Sequence, residues 1–157
     1  MNIDDIFQIV RLDDQNSLID ILDTIDINLV NNSGQSLVHE AAANNSANCL
    51  EILLKNKAKT DFQDKRGMAP LHYAAANSSL ECVALLKDKG ANASISDEYG
   101  NQPLWTATFN ARGNYEIVSI FKGTNSDPLH KNKSGKSPLD FSNQIKDEIL
   151  TEILKNI

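Results

Sequence analysis

Apolar positions along the chain fall into short blocks at helical spacing, separated by polar breaks rich in Asn, Ser and Gly. The clearest block lies in the middle. In Pro70-Leu71-His72-Tyr73-Ala74-Ala75-Ala76 a proline stands where a first helical turn tolerates it, since its missing N–H would be unpaired there, and alanines follow. A short, thin helix is predicted. After the break Asn77-Ser78-Ser79, residues Leu80, Val83, Leu85 and Leu86 form an apolar face at helical spacing, and Gly90 offers the left-handed residue that ends a helix. Leu85 and Leu86 are expected between the two helix layers. Two further amphipathic stretches, Ile3–Val10 and Ser17–Leu22, open the chain, and Ile145, Ile149, Leu150, Ile153 and Leu154 give another near its end.

The central unit recurs. Gly67-Met68-Ala69-Pro70-Leu71-His72-Tyr73-Ala74-Ala75 has relatives 33 positions earlier, Gly34-Gln35-Ser36-Leu37-Val38-His39-Glu40-Ala41-Ala42, and 33 later, Gly100-Asn101-Gln102-Pro103-Leu104-Trp105-Thr106-Ala107-Thr108. A fourth copy, Gly135-Lys136-Ser137-Pro138-Leu139-Asp140-Phe141, follows after 35. A fixed interval marks one supersecondary unit that cannot bury both of its faces alone, so neighbours must stack. With this interval and a T-P-L-H-x-A-type core, the chain resembles the ankyrin-repeat family. The resemblance implies a single all-α domain, an ankyrin-repeat solenoid of stacked helix–turn–helix units with short β-turn or hairpin tips. It divides into a cap at 1–33, repeats at 34–66, 67–99 and 100–134, and a C-terminal cap at 135–157.

Departures from the family pattern carry expectations of their own. The first unit lacks the motif and keeps only an echo of the family's repeat ending in Asp26-Ile27-Asn28. Leu37 replaces the usual proline. Lys57 replaces the usual glycine at a left-handed turn, at a cost of roughly 1 kcal/mol. In the fourth repeat Asn110-Ala111-Arg112-Gly113-Asn114 replaces a three-residue break, and the register is expected to recover over Tyr115–Phe121.

Composition adds three constraints. A chain with 23% charged and 41% hydrophobic residues fits an ordinary folded protein. Its first residues show neither a basic n-region nor a long apolar run, so no signal peptide or membrane span is expected and a cytoplasmic location is the default. The only cysteines, Cys49 and Cys82, stand one repeat apart, and neighbouring helices about 10 Å apart hold such a pair beyond disulfide reach. Both are expected reduced and buried. The net charge of −6 is concentrated in residues 1–33, which hold seven aspartates against Arg11, while the remaining acids and bases cancel. An acidic end disfavours nucleic acid and favours a basic protein partner through steering. It also suits a terminal repeat that only needs a soluble outer face.

His39 and His72 occupy the motif histidine, for which the resemblance implies hydrogen bonds to backbone between repeats; Trp105 and Asp140 take that place in the next two units. Catalysis and metal binding need convergent partners, and none converge on these histidines in the register. Gly135-Lys136-Ser137 ends like a phosphate loop but has His130 where that motif requires glycine. Neither an enzyme, nor a metal, cofactor or small-molecule substrate, is therefore expected. By the family's register the contact surface is the turn tips and the exposed face of each first helix: Arg66, Met68, Tyr73 and Asn77, then Glu98, Tyr99, Asn101, Phe109 and Asn110. Tyr73, Tyr99 and Phe109 stand at positions meant for solvent, beside Arg66, and aromatics and arginine dominate interface hot spots. The resemblance implies a monomeric, non-enzymatic protein–protein interaction module. A small, acidic chain that is all stack suits an inhibitor or immunity protein neutralising a toxin or enzyme, with an effector or assembly adaptor bridging two proteins as the alternative.

Overall fold

The computed structural model describes residues 1–157, and ten α-helices pair off along the chain. The pairs are α1 (Ile3–Arg11) with α2 (Gln15–Ile21), α3 (Leu37–Asn44) with α4 (Ala47–Lys55), α5 (Pro70–Ala76) with α6 (Leu80–Asp88), α7 (Pro103–Asn110) with α8 (Glu116–Ser119), and α9 (Pro138–Gln144) with α10 (Glu148–Lys155). The odd-numbered helices form one row, each packed on the next, and the even-numbered helices form a second row behind it. One continuous core runs between the rows, from Phe7 and Val10 through Leu53, Leu86 and Leu104 to Leu150 and Leu154. This is an all-α solenoid.

Local chemistry explains where the helices begin. Pro70, Pro103 and Pro138 open α5, α7 and α9, and Ser36 and Ser137 accept the N–H groups of His39 and Asp140 in capping boxes. Asn2 and Asp5 cap α1 reciprocally, and Asp14 caps α2, so two of the N-terminal aspartates complete helix ends. Asp13 does the same for the next unit, accepting the Cys49 N–H at 2.7 Å and the Asn48 Nδ2 at 2.7 Å.

Between helix pairs the chain forms tips with a repeated geometry. The Asp64 N–H donates to Met68 O at 3.0 Å and the Gly67 N–H to Asp64 O at 2.9 Å, with the Asp64 carboxylate accepting the Arg66 and Met68 N–H groups inside the loop. Asn31, Asp97 and Asn132 do likewise in the other tips. Each tip also bonds the one before it: Lys65 N–H to Ser33 O at 3.0 Å, Glu98 N–H to Arg66 O at 2.8 Å, Lys133 N–H to Tyr99 O at 2.9 Å. Glycine is required here twice over. Gly67 has φ +73°, and a Cβ on it would sit 3.1 Å from the Glu98 nitrogen; at Gly100 (φ +78°) the approach to the Lys133 nitrogen is 3.0 Å.

The structure amends four expectations. Leu85 is only partly buried; Leu86, with no exposed surface, is the leucine between the layers. Ile145 and Ile149 are 49% and 61% exposed, because Ile145 is the C-cap of α9 and not part of the last helix, and α10 turns Leu150 and Leu154 inward. Glu40, 33 positions before Tyr73 and so on the same helix face by register, is buried beside Arg11, whose Nε donates to it at 2.6 Å. Finally, the two-residue slip in the fourth unit is absorbed by Arg112 and Gly113, both at positive φ, and it leaves α8 only four residues long. Ile117, Val118 and Phe121 still reach the core, but the junction between α6 and α8 is thin. Lys87 bridges it, its Nζ donating to Ile120 O at 3.2 Å and Lys122 O at 2.6 Å, where α8 leaves carbonyls without helical partners.

Two substitutions test this packing in opposite directions. Leu86→Ala removes a fully buried side chain and should lower stability by about 2–5 kcal/mol. Lys57 sits at φ +64°, as Gly90 does at +75° one unit later. Lys57→Gly should raise stability by roughly 1 kcal/mol by relieving that left-handed turn. Denaturant midpoints of the two variants against the parent decide both.

Candidate functional site

The side chains assigned to the contact surface lie on the tips and the odd-numbered helices, and they divide into two groups. Four are held by the fold. Tyr73 is half-buried: its hydroxyl donates to Asp64 Oδ2 at 2.5 Å and accepts from Gln35 Nε2 at 2.6 Å and the Arg66 guanidinium at 3.1 Å, while its ring meets His39 edge-on at 5.5 Å. It is thus part of the joint between two tips and not a free ring, because a tyrosine long enough to reach Asp64 finds a buried acceptor there. Met68 is half-buried with its carbonyl engaged by His39. Asn101 bonds Asp97 and Asn132, and Asn110 returns its amide to Thr106 O at 2.9 Å.

The other five are open to solvent. Arg66 and Glu98 are exposed, and no ion pair engages the Glu98 carboxylate. Asn77 is exposed and uses Nδ2 to cap Tyr73 O. Tyr99 and Phe109 are 64% and 56% exposed.

Tyr73, Tyr99 and Phe109 do not form one cluster. Phe109 instead joins Trp105 and Phe141, with ring centroids 6.5 Å from Trp105 and 5.4 Å from Phe141, and Trp105 to Phe141 at 5.8 Å. Trp105 and Phe141 are half-buried. Sequence reasoning passed over both. The available signal was that Trp105 replaces the motif histidine and that Phe141 stands where Tyr73 does, one place after that position.

The histidines show what that replacement changes. His39 accepts the Ser36 N–H at Nδ1 (3.0 Å) and faces Met68 O from Nε2 (3.0 Å); His72 accepts the Ala69 N–H (3.0 Å) and faces Asn101 O (2.9 Å). Each therefore ties the start of its helix to the next tip, with Nε2 protonated and donating. Burial pushes both imidazoles below their ordinary pKa and keeps them neutral, against the partial support of those carbonyls. Trp105 has no acceptor to offer the helix start. In its unit Gln102 Nε2 donates to Ser94 O at 3.2 Å, Gln102 Oε1 is buried without a partner, and the link to the neighbouring tip comes from His130, whose Nε2 meets Gly100 O at 3.1 Å. The Trp105 ring, freed from bridging, lies against Phe109.

At Asp64, burial pulls the carboxyl upward, but the Tyr73 hydroxyl and the Met68 and Arg66 amides outweigh it and hold it below the usual carboxylate range. The same burial, with Asp64 beside it, raises the Tyr73 phenol. Cys49 and Cys82 are buried free thiols pushed up to about 12, by burial first and Asp13 second, which removes thiolate reactivity. No group of three or more His, Cys, Asp or Glu side chains is arranged to hold a metal ion, and no helix is long and apolar enough to cross a membrane.

Stacked helical pairs, tip-to-tip backbone bonds and histidine bridges define a repeat solenoid with an open surface along its tips and first helices. A family model described as ankyrin repeats (3 copies) matches residues 6–97 and 38–132, and the chain belongs to the ankyrin-repeat family. Members of that family are protein–protein interaction modules. A search of curated proteins finds no match.

The buried histidines set a pH dependence. A group whose folded pKa is depressed contributes stability above its unfolded pKa, and that contribution is lost as pH falls through the folded value. With an unfolded value of about 6.5, stability should decline as the pH is lowered from about 7 to about 5, before most carboxylates titrate. Urea midpoints across this range check the slope, and an unchanged midpoint would contradict buried neutral imidazoles.

Proposed function

We propose that this protein acts without chemistry of its own, by occupying a partner protein's surface with its tips and first-helix face, as an inhibitor or immunity-type protein that neutralises a toxin or enzyme. The observation that carries the reading is the exposure of Tyr99 and Phe109, 64% and 56%, on the face that the solenoid leaves uncovered. Large apolar rings kept in water favour a cover. The two buried free thiols suit a reducing compartment, so a cytoplasmic location belongs to the proposal.

An adaptor reading draws support from charge placement. Seven aspartates crowd the first unit, while Tyr99 closes the third and the rings around Phe109 lie in the fourth and fifth, so the two surfaces are separate enough to serve two partners, one of them basic. Asp5, Asp13 and Asp14 are occupied in capping, and Asp4, Asp20 and Asp23 are the aspartates of this cap without side-chain hydrogen bonds. Replacing these three with Asn should slow association with a basic partner severalfold and weaken its salt dependence while leaving dissociation nearly unchanged. Unaltered association kinetics would return the acidic unit to the role of a solvated cap.

Capture of partners from the native host, identified by mass spectrometry, supplies the test material. Against the captured protein, Tyr99→Ala should weaken binding by about 2 kcal/mol or more with little change in melting, since a tip side chain supports no core. Lys155→Ala, exposed on α10, serves as the control and should bind as the parent does. Equal binding by Tyr99→Ala would move the contact to the loop at Asn110–Asn114 or to the even-numbered helices.

A further inference from the structure

We propose that the stack works as two parts: residues 1–99 stay folded as a platform, while residues 100–157 open and reclose on it as one segment, latched by Lys87.

In a solenoid each unit is held only by itself and its neighbours, so the least stable unit decides where the stack parts. The fourth unit is short of bonds in several places. Its second helix, α8, has four residues where α4 and α6 have nine each. The chain beyond it runs on i→i+3 turns, with the Phe121 N–H donating to Val118 O, the Lys122 N–H to Ser119 O and the Thr124 N–H to Phe121 O, each at 3.1 Å. Such turns hold a backbone less well than α-helical bonds do. No side chain caps the start of α7, and Gln102 Oε1 is buried there without a partner. Between the two helices Arg112 bends the chain at φ +44°, a conformation that costs any residue with a Cβ.

The junction with the third unit is fastened in front and loose behind. In front, α5 packs on α7 and His72 Nε2 donates to Asn101 O at 2.9 Å. Behind, α6 and α8 meet little, and the crossing falls to side chains. The Lys87 ammonium donates to Ile120 O at 3.2 Å and Lys122 O at 2.6 Å, and Asn125 Oδ1 accepts the Ala93 N–H at 2.9 Å. All of these contacts on the fourth unit lie beyond the end of α8, on the turns that follow it.

The fifth unit has no neighbour but the fourth. Its α9 packs on α7 and its α10 on α8, Phe141 rests against Trp105 and Phe109, and the Tyr115 hydroxyl donates to Asp147 Oδ2 at 2.8 Å. When the fourth unit opens, α9 and α10 lose the surface that buries Leu150 and Leu154, so the two units go together. The first unit is equally terminal but is tied down. Asp13 accepts the Cys49 N–H and the Asn48 Nδ2, each at 2.7 Å, Arg11 holds Glu40, and Ile6, Phe7, Val10 and Leu18 are buried. Opening is therefore one-sided, which ordinary fraying of both ends would not be.

Native-state hydrogen exchange of the full chain, followed peptide by peptide by mass spectrometry, tests this. Amides of α7, α8, α9 and α10 should exchange through one common opening, about tenfold or more as populated as the opening that exposes α1 to α6. Lys87→Met keeps the aliphatic stem and removes the ammonium. It should speed exchange of α7 to α10 together by about fivefold and leave α1 to α4 unchanged. Arg112→Gly should slow exchange of the same four helices, and Lys89→Met, at the exposed C-cap of α6, is the control and should alter none. Equal protection of α3–α6 and α7–α10 would show one cooperative unit and overturn the proposal. So would protection that falls off gradually towards both ends, or a Lys87→Met effect that is absent or spread evenly over all ten helices.

Discussion

Close approach of one tip to the next is the constraint on which the rest of the structure depends. Backbone passes backbone so closely at Gly34, Gly67 and Gly100 that an added Cβ would come within 3.3, 3.1 and 3.0 Å of the next tip, and one backbone N–H···O bond fastens each tip to its neighbour. Because the tips cannot slide, the helices that follow them are set in register, and the motif histidine locks the arrangement by reaching from a helix start to the following tip. Gly135 shows the converse. A Cβ there would meet nothing within 4 Å, since no further tip is packed against it.

That constraint is kept while the fourth unit departs from its neighbours behind it. The tip still bonds the next one through Lys133 and Tyr99, yet the histidine bridge is gone, Gln102 carries an unpaired buried oxygen worth about 1–3 kcal/mol of desolvation, and α8 is a single turn. Lys87 reaches in from the third unit to the carbonyls of Ile120 and Lys122, and His130, near the end of the fourth, returns to Gly100 O in place of the missing bridge. The outcome is a unit that is weakly tied on the inside and open on the outside, with Trp105 released toward Phe109. Exposure of the Phe109 face and loss of the histidine bridge meet at one position, where a ring that cannot bridge stands in place of the buried histidine of the preceding units, while the short α8 follows from the slip at Arg112 and Gly113.

Charge follows a similar division of labour. The aspartates of the first unit read as a block of like charge along the chain, but three of them are spent on helix starts, including one that holds α4 of the next unit. A formal charge is therefore a poor guide to what a surface offers. Lys131 and Lys133, by contrast, are tied only to one exposed carboxylate at 3.9 Å and to a backbone carbonyl at 2.6 Å.

The sequence by itself determined the solenoid, since a 33-residue period of proline, alanine and leucine at helical spacing leaves stacking as the only way to bury both faces of each unit, and every helix pair was legible from it. It also determined that Cys49 and Cys82 would be buried thiols, and the family resemblance implied that His39 and His72 would serve backbone. Which candidate side chains remain free was decided by tertiary structure alone. Tyr73 and Phe109 are both aromatics on the open helix face, but Tyr73 has Asp64, Gln35 and Arg66 within reach across a tip joint, whereas Phe109 has only other rings. Periodicity reports which way a side chain leaves its helix. What it meets depends on distances between units 30 or more residues apart, and those exist only once the stack has formed.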